Sequence, residues 1–259
     1  MSKNIGCVQL QAENLWVSPK YEEDRNRSIL KGVSFSVYKG EILWLMGQSG
    51  CGKTVTALSL MGLLDMVGLK AVDGRILYKA GDENAQMQDL LKTGEPGLNR
   101  LRGSELSMIS QNPAGALNPV VPVGKQLEQS ISFYYKRKNG CHKISREFLD
   151  YEMSEVLRLS GLAEEKNIRN KYPDQLSVGM CQRVAIALGI CGYPKLLIAD
   201  EPTASLDYDC KDLILKELLN LREKLSMTIL LITHDTKGCG YMADRVLHLK
   251  NGRIGDDYE

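Results

Sequence analysis

Ile42-Leu43-Trp44-Leu45-Met46-Gly47-Gln48-Ser49-Gly50-Cys51-Gly52-Lys53-Thr54 is the stretch that decides the fold. Its apolar first part predicts a buried strand. The residues from Gly47 on fit G-x-x-x-x-G-K-[ST] at every position, and Val55, Leu58, Ser59, Leu60 and Met61 continue as a helix. The glycines allow backbone N–H groups to close around phosphate oxygens, and the helix N-terminus adds partial positive charge. Gly47, Gln48, Ser49, Gly50, Cys51, Gly52, Lys53 and Thr54 thus read as one phosphate cradle. Lys53 can reach β- and γ-phosphates, and the Thr54 hydroxyl can ligate Mg²⁺. The competing reading, a chance glycine turn before a helix, does not survive the rest of the chain.

The chain has 259 residues, enough for one large α/β domain or a core carrying a subdomain. A formal net charge of +1 gives no electrostatic pull toward nucleic acid or an anionic membrane. No apolar run approaches the ~20 residues that span a bilayer, and Met1-Ser2-Lys3-Asn4 starts no secretory signal. A soluble, cytosolic protein that docks on a membrane protein is the expectation. Cys7, Cys51, Cys141, Cys181, Cys191, Cys210 and Cys239 form no C-x-x-C pair, which argues against a disulfide framework. Cys51 and Cys181 fall within candidate site motifs but read first as small filler residues.

Strand patterns precede the loop at Val8-Gln9-Leu10, Leu15-Trp16-Val17 and Val33-Ser34-Phe35-Ser36-Val37, with residues 18–28 read as a polar loop. Gly74-Arg75-Ile76-Leu77-Tyr78 predicts a further strand, residues 80–100 a polar surface stretch, and Leu106-Ser107-Met108-Ile109-Ser110 a buried strand ending at Gln111. Over 124–170, Leu127, Ile131, Phe148, Met153, Val156, Leu157 and Leu159 recur at helical spacing and predict an inserted helical subdomain. The basic cluster Lys136-Arg137-Lys138, with Lys143 and Arg146, reads as a solvated helix face. Leu196-Leu197-Ile198-Ala199 and Thr228-Ile229-Leu230-Leu231-Ile232-Thr233 are continuous apolar runs, as expected for strands covered on both faces of a parallel sheet.

Polar residues with chemical potential stand at the ends of these runs. Asp200-Glu201 terminates one, at the strand end where open α/β sheets bind ligands. Asp200 can hold Mg²⁺, and Glu201 can take a proton from an attacking water. His234 ends another run and can hydrogen-bond a γ-phosphate; Gln111 can ligate Mg²⁺ or orient water. Leu176-Ser177-Val178-Gly179-Met180-Cys181-Gln182-Arg183 precedes a helix expected near Val184, with Ser177 a good N-cap residue.

Taken together, these residues resemble the nucleotide-binding subunits of ABC transporters. Residues 47–54 match Walker A, Gln111 the Q-loop and 176–180 the signature. Residues 196–200 followed by Glu201 match Walker B, Ser205-Leu206-Asp207 the D-loop and His234 the switch histidine. Within the family, the chain is similar to the oligopeptide/dipeptide/nickel importer subfamily. The stretches that carry this are Arg102-Gly103, Met108-Ile109-Ser110-Gln111-Asn112-Pro113, Leu117-Asn118-Pro119, Gly179-Met180 and Ile198-Ala199-Asp200-Glu201-Pro202-Thr203-Ala204. The resemblance implies a P-loop NTPase core, RecA-like with a mostly parallel sheet, an N-terminal antiparallel β subdomain and an inserted helical subdomain. Residues 1–259 would be one nucleotide-binding domain, with 1–111 and 180–259 as β subdomain plus core and 112–179 as the helical subdomain.

It further implies an ATPase using ATP and Mg²⁺, with Glu201, His234 and Lys53 catalytic and Thr54, Gln111 and Asp200 around the metal. Ser177 and Gly179 would contact ATP held by an opposing subunit. The implied partners are a second ATP-binding subunit, a heterodimer being favoured, integral membrane permease subunits and, indirectly, an extracytoplasmic solute-binding protein; nucleic acid is not among them. The implied location is the cytoplasmic face of the membrane, as a peripheral subunit. A soluble non-transport ABC ATPase and a hydrolysis-poor regulatory subunit are the alternatives.

Three positions depart from the family pattern. Val178 stands where glycine is usual, and its β-branched side chain is expected to weaken the composite site. Pro19 occupies the aligned position of the adenine-stacking aromatic, leaving Tyr21 as the substitute with Trp16 behind it. The end at Glu259 resembles the shorter nickel- or metal-chelate-type members.

Overall fold

A computed structural model describes residues 6–81, 85–140, 143–204, 206–235 and 242–255. Cys141, Ser205, Cys239, Glu259 and residues 1–4 lie outside the described residues. The chain forms two compact units, Met1–Arg102 with Met227–Glu259, and Gly103–Ser226.

In the first unit, chain order runs β1 (Val8–Pro19), β2 (Leu30–Tyr38), β3 (Ile42–Met46), α1 (Lys53–Leu60), β4 (Leu69–Lys79), β5 (Met87–Asp89) and α2 (Glu95–Leu101). After the second unit come β8 (Thr228–Thr233), β9 (Arg245–Lys250) and β10 (Arg253–Gly255). β2-β1-β4-β5 form an antiparallel sheet whose inward residues Leu10, Leu15, Val17, Val33, Ile76 and Tyr78 are fully buried. The two strand patterns read in 8–17 are one strand, interrupted by irregular register around Asn14 at φ 47°. Gly74 allows this, because a Cβ there would lie 2.4 Å from the Asn14 carbonyl oxygen.

Every residue of β3 and β8 is buried, and the two run parallel from Ile42 opposite Ile229 to Met46 opposite Thr233. β9 pairs in parallel with the other edge of β3, placing His248 opposite Met46. The Asn251-Gly252 turn then returns the chain as antiparallel β10, both residues having positive φ as a tight hairpin demands. β9 and β10 were not anticipated, and neither were β5 and α2 within the stretch read as polar surface. The polar loop at 18–28 is shorter than expected, since β1 runs to Pro19.

The second unit holds β6 (Leu106–Ile109), α3 (Pro113–Ala116), α4 (Val123–Asn139), α5 (Arg146–Leu159), α6 (Val178–Ile190), β7 (Leu196–Asp200) and α7 (Tyr208–Leu225). β6 and β7 are parallel, Leu106 facing Leu196 and Ile109 facing Ala199. α4, α5 and α6 pack on one another around Leu127, Ile131, Met153, Val156 and Val184, as the 3.6-residue spacing predicted. Side chains cap the helix starts: Ser145 accepts from the Phe148 amide (3.1 Å) and Asp207 from the Cys210 amide (2.9 Å). Lys136-Arg137-Lys138 is the last turn of α4, where positive charge suits the helix dipole. Within this unit, Arg183 of α6 meets Glu217 of α7 at 2.9 Å, with both side chains largely buried. The contact is short but misaligned for a hydrogen bond, and Glu217 Oε2 has no hydrogen-bond partner among the described residues.

Burial therefore outweighs the Arg183 charge and pushes the Glu217 carboxyl up to about 7 from an ordinary 4.5. A carboxyl that holds its proton more tightly when folded contributes stability below pH 4.5 and loses it as pH rises through 7. Glu217→Gln should flatten that window: the difference in Tm between variant and parent shifts in favour of the variant as pH rises from 5 to 8 (both about the limits of the interval). A difference independent of pH would sink this assignment.

Candidate functional site

Residues 47–52 join β3 to α1 through a loop that favours glycine at three points, Gly50 among them at φ +78°. A Cβ on Gly47 would lie 2.3 Å from the Leu249 carbonyl oxygen and 2.6 Å from Cys51 Sγ. Gly52 has φ +112°, and a Cβ there would lie 2.6 Å from Leu30 Cδ2. Gly52 is also the N-cap of α1, and it brings no side chain to cap the first turn. The N–H groups that a serine or aspartate would satisfy are thus left for an anion, on the positive end of the helix. Lys53 is buried at its base and donates from Nζ to the carbonyl oxygens of Gly47 (2.8 Å) and Gln48 (3.1 Å). This bends the ammonium back over the loop. Gln48, Ser49, Gly50 and Thr54 are exposed, whereas Thr56 is buried and donates to the Gly52 carbonyl oxygen (3.0 Å).

A cavity of about 320 Å³ opens on this loop, lined by residues 47–51 and by His248, Leu249, Lys250 and Asn251. Sequence reasoning missed that second wall. The Asn-Gly turn at 251–252 was the one local signal for it. His234 comes directly after β8, and the β3–β8 register carries it to the same carboxyl edge as Gly47. Its side chain is exposed.

In the second unit, Asp200 and Glu201 close β7 with 1% and 7% exposure. Glu201 has φ +49°, a left-handed conformation that costs a non-glycine residue of order 1 kcal/mol or more and recurs at functional positions. Gln111 lies two residues past β6, level with Glu201 by the Ile109–Ala199 register, and is exposed. The signature stretch differs from its expected form, because α6 begins at Val178, not near Val184. Ser177 is its N-cap, accepting from the Met180 amide (3.2 Å). Val178 takes an ordinary helical place with its side chain 52% exposed, so it adds bulk at the surface without straining the backbone. Gly179 has room for a Cβ, its nearest neighbour being Cys210 Sγ at 3.6 Å. Cys181 is buried, and burial pushes its thiol up.

Of the two aromatic candidates, Tyr21 is 98% exposed just past β1. Trp16 is half-buried, with the Arg25 guanidinium 4.2 Å and the Arg253 guanidinium 5.7 Å from its ring centre. It is engaged as a cation–π platform within the first unit.

The ABC transporter family profile matches residues 30–204, more than half of the chain. The chain belongs to the ABC transporter family. Among its relatives in that family, the dipeptide transport ATP-binding protein DppD of Bacillus subtilis (strain 168) is 37% identical over 227 residues, covering 88% of this chain. The oligopeptide transport ATP-binding protein AppD of the same organism is 39% identical over 223 residues, covering 86%. The chain spans 64% of the length of each of these relatives. Among solved structures, the dimeric ATP-binding cassette MJ0796 in a post-hydrolysis state bound to ADP and Pi matches with a TM-score of 0.78. That match has 26% identity and covers 96% of this chain and 98% of MJ0796. The cassette likeness bears out the P-loop NTPase fold with its antiparallel N-terminal sheet. No described helix is long and apolar enough to cross a membrane.

The two glycine positions are directly testable. Gly47→Ala and Gly52→Ala should each weaken ADP binding about tenfold or more, equivalent to ~1.4 kcal/mol. Gly50→Ala, where a Cβ meets nothing within 4 Å and only the φ of +78° is strained, should lose less than either. Titration calorimetry reads all three; equal losses would show that the steric argument is wrong.

Proposed function

We propose that the chain is the ATP-binding and ATP-hydrolysing subunit of an ABC importer for a small solute of the peptide class. The observation that carries this is the uncapped start of α1 above a glycine-enforced loop, in a family whose relatives DppD and AppD are named for dipeptide and oligopeptide transport. Nickel and metal chelates remain within the proposed cargo range on sequence resemblance alone.

Each group's role is set by its chemistry. N–H groups of residues 48–54 and Lys53 neutralise the phosphates of ATP, which supplies most of the barrier lowering in phosphoryl transfer. Glu201 accepts the proton of the attacking water, and the His234 imidazole donates to the γ-phosphate. Tyr21, exposed and next to β1, is the proposed stack for adenine. Mg²⁺, when bound, would offset the charge that develops on the phosphate oxygens. On the resemblance, Thr54, Asp200 and Gln111 would hold it, each offering a side-chain oxygen of the kind a hard cation takes. No cluster of three or more His, Cys, Asp or Glu able to hold a metal occurs among the described residues.

The proposed assembly is a head-to-tail pair with a second, different ATPase subunit. Ser177 and Gly179 of this chain would face the partner's ATP, on two permease subunits at the cytoplasmic face, with a solute-binding protein supplying cargo outside. The functional partition proposed is 112–179 as the signature-bearing subdomain and 1–111 with 180–259 as the remainder. Val178 favours unequal composite sites, because its exposed isopropyl group stands between Ser177 and Gly179.

Two experiments test this reading. Glu201→Gln should lower ATP hydrolysis ~10²- to 10⁴-fold while leaving ATP binding intact, and should trap an ATP-bound dimer in size-exclusion chromatography. Hydrolysis near the parent rate would remove Glu201 as the base. Val178→Gly should raise the ATPase rate of the complex purified from membranes severalfold; an unchanged rate would leave Val178 without a role.

A further inference from the structure

α1 has 8 residues and is therefore about 12 Å long. A helix so short has little stability of its own and depends on tertiary packing, here of its buried Thr56, Ala57, Ser59 and Leu60. Its first turn has no side-chain cap, so the carboxyl end is where a side chain fixes it. There Leu60 and Met61 are 0% and 5% exposed, and buried carbonyl groups without donors are costly.

The carbonyl oxygens of Ala57, Leu58 and Ser59 accept from the amides of Met61, Leu63 and Gly62. The carbonyls of Met61 and Gly62, the two residues that follow the helix, are both taken by one side chain. Arg102 donates from Nε to Met61 O (3.0 Å) and from Nη2 to Gly62 O (2.9 Å). Behind it, Glu95 grips the same guanidinium, with Nη1 to Oε1 at 2.6 Å and Nη2 to Oε2 at 3.4 Å. The Arg102 side chain is only 19% exposed. Gly62 suits the turn after α1: it has φ +63°, and a Cβ there would stand 2.7 Å from Leu98 Cδ1 of α2. A cation on the last carbonyls of α1 also suits the helix dipole, and Glu95 suits the first turn of α2.

We propose that Arg102 is a positioning residue for the phosphate loop. Its planar fork fixes the carboxyl end of α1, and through that short rigid rod it fixes Lys53 and Thr54, the first two residues of the helix. Arg102 itself touches no phosphate. The proposal rests on the reading of residues 47–54 as a nucleotide phosphate site. A lysine in its place keeps the charge but has no fork and satisfies the two carbonyls less well.

The test uses the whole purified chain and ADP, measuring Kd by titration calorimetry well below the Tm of every variant, with Tm recorded alongside. Arg102→Ala should weaken ADP binding about tenfold, the low end of the loss that follows removal of an outer-shell partner of a metal ligand. Arg102→Lys should recover part of that loss. Glu95→Gln, which leaves the Arg102–carbonyl contacts but loosens their aim, should show a smaller loss in the same direction. Lower Tm values with unchanged Kd would make Arg102 a structural clamp only and overturn the proposal. If Arg102→Ala does not fold, unchanged Kd in both Arg102→Lys and Glu95→Gln overturns it equally. Failure of the parent chain to bind ADP would instead overturn the phosphate-site reading, and the proposal with it, before any substitution is compared.

Discussion

The constraint on which the first unit depends is steric: at Gly47 and Gly52 there is no room for a single methyl group. Leu249 O presses on one glycine and the Leu30 side chain on the other, so β9 and β2 both close on the same loop. That closure forces the backbone between β3 and α1 into a tight arch. The arch ends in a glycine N-cap at φ +112°, which leaves the first turn of α1 with donors and no side chain to satisfy them. Close packing on the outside of the loop is thus what keeps its inside polar, concave and open to an anion.

Electrostatics reinforce the geometry at both ends of α1. At the amino end, Lys53 is tied to two carbonyls of its own loop, so the ammonium is already directed before any phosphate arrives. At the carboxyl end, Arg102 compensates the partial negative charge of the helix. In the second unit the polar residues are held differently. Asp200 is buried at the end of an all-buried strand, and Glu201 turns out of it through a left-handed residue. A carboxylate placed by a strained turn is aimed by the backbone, which a flexible side chain on a loop would not achieve.

Much of this was legible because the signals were local. The continuous apolar runs at 42–46, 196–199 and 228–233 could only be strands covered on both faces, and β3 with β8 and β6 with β7 do pair in parallel. Ser177 reads as a cap residue and is one, yet the helix it starts begins six residues earlier than the apolar pattern suggests. Val178, Gly179 and Cys181 are poor helix formers, and the packing of α6 on α4 and α5 overrides their propensity. Residues 80–100 misled in the opposite sense: they are polar, but Leu90, Leu98 and Leu101 are buried and draw β5 and α2 onto the unit. The setting of Trp16 was not legible, because Arg25 from the loop after β1 and Arg253, 237 positions away in the chain, flank its ring.

The sequence by itself determined the phosphate loop, the buried strands that flank it, the order of the motifs and hence the family. Each of these is written in residue type at fixed spacing, and each depends on interactions between near neighbours. Only the tertiary structure decided why Gly47 and Gly52 are obligatory, that His248 to Asn251 form the second wall of the cavity, and that Arg102 holds the far end of α1. These depend on contacts between residues 22 to 202 positions apart, such as Leu30 with Gly52 and Gly47 with Leu249. Side-chain contacts at such separations leave no periodic trace in the chain, because what brings them together is the burial of the apolar strands between them.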